Sequence, residues 1–216
     1  MLASPVLHTV VMTTSESPDA ITTAVERALT RQRADATREV EAILDATLRI
    51  AERSSPAPPR VADIVAEART SNQAFYRYFN GKNDLLKAVM DRGVLRLCAY
   101  LQHQMDKETD PRAQIAAWIR GVLLQVADET AARQSAAISL HLGGPERTGT
   151  SGTDSLRGLL VEPVRAAGSS SPEWDAAAVH EAVTGTMQRH FREHTAPDEE
   201  QTEHLVSFCL RGLATD

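Results

Sequence analysis

Residues 60–86 read Arg60-Val-Ala-Asp-Ile-Val-Ala-Glu-Ala-Arg-Thr-Ser-Asn-Gln-Ala-Phe-Tyr-Arg-Tyr-Phe-Asn-Gly-Lys-Asn-Asp-Leu-Leu86. The pattern is a short helix, a tight turn, a second short helix and the start of a third. Only 4% of the chain is aromatic, yet Phe75, Tyr76, Tyr78 and Phe79 fall within five positions. Arg77 lies among them, and Lys82 follows.

The spacing predicts a helix-turn-helix. Val61, Ile64, Val65 and Ala68 recur at helical period and face a small core. Thr70-Ser71 breaks the run, and Ser71 is placed to cap the next helix with its hydroxyl. In that helix Ala74, Phe75 and Phe79 point inward, leaving Asn72, Gln73, Tyr76 and Arg77 outward. A second helix of this kind enters the DNA major groove with its first residues against base edges. Asn and Gln suit bidentate contact with adenine, and Arg suits guanine. Tyr76, Tyr78 and Lys82 are suited to phosphates, which fix register. The plain alternative is that the aromatics only pack, and for Phe75 and Phe79 that is the reading taken.

These residues resemble the DNA-binding domain of the TetR/AcrR family of bacterial transcriptional regulators. Ile43-Leu44-Asp45-Ala46 is similar to that family's first helix, and residues 64–71 to its second helix and turn. Phe75-Tyr76-Arg77-Tyr78-Phe79, Lys82 and Leu85-Leu86 are similar to its third helix and the start of its fourth. The resemblance covers roughly residues 38–90. It implies an all-α protein: an N-terminal helix-turn-helix domain, then a helical body for ligand binding and dimerisation. Two departures stand out. Arg69 occupies a turn position that the family usually gives to Gly, where a left-handed backbone costs other residues about 1 kcal/mol or more. The expectation is either a distorted turn or an added phosphate contact from Arg69. Pro59-Arg60 replaces a hydroxyl cap before the second helix, and Arg60 is expected to supply a charged contact instead.

The domain boundaries expected are residues 1–36 for a partly helical extension, 37–84 for the helix-turn-helix domain and 85–216 for the body. Residues 1–17 are expected to be disordered, and Met12 is an alternative start. Residues 19–33 form an extra amphipathic helix with Ile21, Val25, Ala28 and Leu29 on one stripe. Arg31, Arg33 and Arg38 near its end either reach DNA or form a solvated face. Residues 37–53 form the first domain helix. Residues 82–105 form a long connecting helix on which Leu85, Val89, Gly93, Leu97 and Leu101 recur every four positions. Further helices are expected at 111 onward, 131–142, 154–167 with an interruption near Pro163, 172–194 and 197–213. Residues 143–152 and 168–171 read as loops. No period-2 run occurs, so no strand is expected.

The chain has 216 residues and a formal net charge of −6. That acidity argues against non-specific coating of nucleic acid. Residues 38–92 nevertheless hold nine Lys/Arg against eight Asp/Glu, and phosphate contact depends on the face presented. Cys98 and Cys209 have no metal-ligand spacing, which points to a reducing cytoplasm. There is no apolar stretch long enough for a membrane span. His180, His190, His194 and His204 lie in the last helices, and His190/His194 are spaced i, i+4. No third ligand completes a metal site, so these histidines are read as surface or interface groups. No nucleophile turn is recognisable, and no catalytic residue or cofactor is expected.

Ala178, Ala182, Gly185 and Thr186 form a stripe of small residues that allows close helix approach. Leu205, Phe208 and Cys209 stripe the last helix. The resemblance implies that this pair builds a homodimer interface, the alternative being a seam within one chain. Two reading heads then meet two half-sites of a palindromic double-stranded operator. A ligand pocket is expected around Leu101, Met105, Trp118, Val122, Ile138 and His141, the alternative being plain core. The function expected is that of a one-component regulator, a repressor released from its operator by a small hydrophobic effector. A helical protein-interaction module and, more remotely, a helical enzyme are the alternatives.

Overall fold

A computed structural model describes residues 19–54, 57–127 and 150–213. Its secondary structure there is wholly helical: α1 (Ala20–Ser54), α2 (Val61–Glu67), α3 (Asn72–Tyr78), α4 (Lys82–Met105), α5 (Pro111–Ala127), α6 (Thr150–Ala166), α7 (Pro172–Glu193) and α8 (Glu199–Gly212). No helix among the described residues is long and apolar enough to cross a membrane. The helix expected at 131–142 lies outside the described residues, as do the N-terminal segment and most of the loop expected at 143–152.

The chain divides into two compact units, Met1–Val40 and Glu41–Asp216. In the first, Ile21, Val25 and Leu29 are exposed on α1. The sequence predicts two helices before residue 54, but α1 is a single 35-residue helix. The reason is local. Ala34-Asp35-Ala36 contains no breaker, and Arg38 forms an ion pair with Asp35 one turn back.

The second unit contains a small head and a larger body. The head core is Ile43, Leu44, Ala46, Ile50 and Ala51 of α1, Ile64 and Val65 of α2, Ala74 and Phe75 of α3, Phe79, and Leu85, Leu86 and Val89 of α4. Thr47 is also buried, its hydroxyl donating to the Ile43 carbonyl at 2.7 Å. The body core takes Leu101 and Met105 of α4, then Ile115, Trp118, Ile119 and Val122 of α5. Leu160 and Val164 of α6, Ala176, Val179 and Val183 of α7, and Val206 and Cys209 of α8 complete it.

Directional contacts fix the body's register. Trp118 donates its indole N–H to the Leu156 carbonyl at 3.2 Å, tying α5 to α6. Arg112 donates to the Leu210 carbonyl at 2.7 Å, and Arg120 grips Glu203 through two bonds of 2.6 and 2.7 Å, tying α5 to α8. Asp198 and Gln201 cap α8 reciprocally. Pro163 does not interrupt α6, which runs through it to Ala166. The missing N–H costs one backbone bond, while the ring itself is buried. The beginning of α6 also takes up residues 150–152, which the sequence reading assigned to a loop.

The histidines need a correction. His180 and His190 are buried in the single chain rather than surface groups. His190 Nδ1 pairs with the Thr195 hydroxyl at 2.7 Å, and His180 lies beside Trp118 with ring centroids 6.1 Å apart. Burial, with Arg157 second, pushes His180 below its ordinary value of 6.5. The unfolded chain therefore binds a proton that the native state resists. Stability is expected to fall as pH drops through about 6.5. His180→Gln should flatten that dependence in urea titrations between neutral pH and pH 5. An unchanged acid slope would remove His180 as its source.

Candidate nucleic-acid interface

The turn before α3 closes as a Schellman motif. The Thr70 N–H donates to the Val65 carbonyl at 3.1 Å, and the Arg69 N–H to that of Ala66 at 3.2 Å. This geometry needs a left-handed residue, and Arg69 adopts φ 54°. The turn is regular, so the strain expected from the sequence is carried by Arg69 itself. Arg69→Gly is expected to raise head stability by about 1 kcal/mol, read as a higher urea midpoint. A lower midpoint would mean that the Arg69 side chain holds the turn.

Ser71 begins α3 as predicted. Its hydroxyl oxygen accepts from the Ala74 N–H at 3.0 Å, and the hydroxyl proton is the group left for a phosphate. Ala74 and Phe75 are buried beneath the helix. Phe75 packs edge-on against Tyr76 at 5.0 Å and tilted against Phe79 at 5.6 Å. The opposite face carries Asn72, Gln73, Tyr76 and Arg77, all exposed, with Tyr76 at 62%. Tyr78 is half-buried, and the Arg77 guanidinium lies 5.5 Å from its ring centroid. That cation–π contact limits the rotamers of Arg77 before any partner arrives.

Lys82 opens α4, where the Asp84 carboxylate accepts from the backbone N–H of Asn80 at 3.0 Å. Arg60 is the exposed N-cap of α2 and makes no side-chain cap bond. Glu67 of α2 accepts from the exposed Arg49 and Arg53 of α1, each at 2.8 Å. Arg53 first, then Arg49, holds the Glu67 carboxyl below its usual range. This brace of α2 on α1 was absent from the sequence reading. Its partners are too distant along the chain for helical spacing to show it.

α3 thus presents one exposed polar face, with Arg60 exposed at the start of α2 and Lys82 half-buried at the start of α4. Residues 43–89 match a family model described as bacterial regulatory proteins, tetR family. The head is a tetR-family N-terminal domain. Solved structures extend the likeness in fold beyond the head. A TetR-like transcriptional regulator from Rhodococcus sp. RHA1 is 20% identical with a TM-score of 0.59, covering 82% of this chain and 97% of that one. The fatty acid degradation regulator FadR from Bacillus halodurans is 17% identical with a TM-score of 0.57, covering 80% and 96%. FadR from Bacillus subtilis, solved in complex with stearoyl-CoA, is 17% identical with a TM-score of 0.54, covering 81% and 97%. No curated protein gives a significant match.

The remaining site residues fall behind the tetR-family head. Leu101, Met105, Trp118 and Val122 are packed core, while Ile138 and His141 lie outside the described residues. A cleft of about 330 Å³ opens elsewhere, lined by Gln102, Met105, Asp106, Gln114, Leu159 and Glu162 among others. It shares only Met105 with the expected set. On α7 and α8, Ala178, Gly185 and Phe208 are exposed, Phe208 at 58%. Ala182 and Leu205 are half-buried and pack partly on the chain's own core. Trp174, at the start of α7, is 80% exposed and was not singled out from the sequence. Among the described residues no three His, Cys, Asp or Glu side chains cluster to hold a metal.

Proposed function

We propose that the chain is a one-component transcription regulator that reads a palindromic operator as a homodimer. The observation that carries this is the outward face of α3, where Asn72, Gln73, Tyr76 and Arg77 are exposed above a buried Ala74 and Phe75. Base-reading and phosphate-binding groups share one face of a helix sized for the major groove. The reading places the protein in the cytoplasm with DNA. It is tested by fluorescence anisotropy against DNA from its own upstream region at two salt concentrations. Affinity should fall steeply as salt rises. A salt-independent interaction would favour a protein partner instead.

Regulation in this reading is repression relieved by a small apolar molecule. The ligand shifts the body between two arrangements and so changes the separation of the two heads. A tenfold loss of operator affinity needs only about 1.4 kcal/mol of differential binding. The stearoyl-CoA complex of the Bacillus subtilis relative makes long-chain acyl thioesters natural first probes. The cleft of this chain is lined by Asp106, which accepts from Gln102, and by Glu162, which pairs with Arg165.

Dimerisation is assigned to the exposed face of α7 and α8 around Ala178, Gly185 and Phe208. Gly185 gives a clean test, because a Cβ added there meets nothing within 4 Å. Gly185→Glu is expected to leave the monomer folded and to split the dimer, since a charge would be buried between close-packed helices. Sedimentation reads the result. A folded dimer of unchanged stability would move the interface elsewhere.

A further inference from the structure

α7 has an outer face that its own chain leaves open. Its inner face, with Ala176, Val179, His180, Val183 and His190, is buried in the body. Opposite runs a line of exposed residues, Trp174, Ala178, Glu181, Gly185, Gln188 and Arg192. They recur at steps of four and three, the spacing that keeps one seam of a helix against another helix. Trp174 is 80% exposed, a large ring standing in water at one end of the seam. Nothing within the chain demands the glycine, since a Cβ added at Gly185 meets nothing within 4 Å. Glycine nonetheless weakens a helix interior.

The order of side chains along the seam says what covers it. Steps of four, three, four, three and four read the same in both directions. An antiparallel copy of α7 centred at the level of Val183 therefore sets seam positions opposite seam positions. Trp174 then lies over Arg192 of the partner subunit, Ala178 beside the partner's Gln188, and Glu181 beside the partner's Gly185. Long side chains meet small ones, and the ring meets a cation. The flanks agree. On one side Asp175 faces the partner's Arg189, and on the other Ala177 faces the partner's Phe191. Arg189 and Arg192 are exposed and have no hydrogen-bond or ion-pair partner among the described residues. Asp175 accepts from the Ser169 hydroxyl through Oδ2, at 2.5 Å. A parallel copy would instead set Glu181 and Arg192 each against itself, like charge on like.

We infer that α7 pairs antiparallel with α7 of a second copy in this register, and that Trp174 on the partner's Arg192 anchors each end of the contact. Two-fold symmetry makes every one of these contacts twice. Trp and Arg are the residue types that most often carry the energy of an interface. The inference rests on the homodimer proposed above and goes past it, to the direction of the helices and the side chains that meet.

Disulfide trapping tests the register in the full chain, with Cys98 and Cys209 replaced by Ala. Ala178→Cys combined with Gln188→Cys is expected to give a covalent dimer on mild oxidation with diamide. Either cysteine alone should give none, because each lies about 15 Å along the axis from its own copy. Single-cysteine variants that link as readily as the double would show parallel pairing and overturn the inference. Sedimentation supplies the energetic test, with circular dichroism to confirm that each variant is folded. Trp174→Ala and Asp175→Arg should each raise the dimer dissociation constant about tenfold or more. Adding Arg189→Asp to Asp175→Arg should recover most of that loss, as a charge pair does and a damaged helix does not. An unchanged constant in Trp174→Ala would overturn its role as anchor, and an unrecovered loss the pairing of Asp175 with the partner's Arg189. A parent that sediments as a monomer at every concentration would sink the homodimer itself. A parental dimer whose double-cysteine variant does not link would sink this register alone.

Discussion

Phe75→Ala unfolds the head and leaves the body standing. Phe75 is fully buried, in contact with Tyr76 and Phe79 beneath α3. Truncating a buried Phe costs about 3–5 kcal/mol, against a typical total of about 5–15 kcal/mol for a domain. The head core is separate from the body cluster around Trp118, so the loss is local. In urea, part of the helical signal should disappear early, while emission from the buried Trp118 keeps its parent midpoint. DNA binding should vanish with the first transition. A single transition shared by both signals would show that head and body fold as one unit.

The second large effect concerns sequence reading. Gln73→Ala and Arg77→Ala should each cost about 1–3 kcal/mol at the specific site and relax preference at one base pair per half-site. Arg77 is the stronger expectation, because stacking over Tyr78 restricts it beforehand. Tyr76→Ala and Lys82→Ala should weaken all DNA about equally, and Lys82→Ala should lower the salt slope by about one unit. Titrations against specific and scrambled sites at two salt concentrations separate the two classes. Equal losses of Gln73→Ala and Arg77→Ala on both sites would mean that neither side chain reads a base.

The head was legible in the sequence because local chemistry determines it. Ser71 is a hydroxyl before an apolar period, and it caps α3. Arg69 sits where a left-handed residue was required, and it is left-handed. Phe75 and Phe79 fell on the face that became core. The misreadings share a cause. Ending the first helix at Arg33 presumed a break where Ala34-Asp35-Ala36 supplies none, so α1 continues. Pro163 was given its usual weight as a breaker, but losing one backbone bond did not outweigh the packing of α6. His180 and His190 look like surface groups in a list of residues, and only the packing of α7 buries them. The brace Arg49–Glu67–Arg53 joins distant segments, beyond the reach of any periodicity.

The central claim is that two copies of α3 read successive major grooves of one operator. The most direct measurement is selection of genomic fragments by the purified full chain, followed by hydroxyl-radical footprinting of the enriched fragment. The account predicts a palindrome protected on one face of the duplex, with half-site centres about 34–36 Å apart or a multiple of that. Selection that enriches no fragment over bulk DNA, or a footprint over a single asymmetric site, would contradict it.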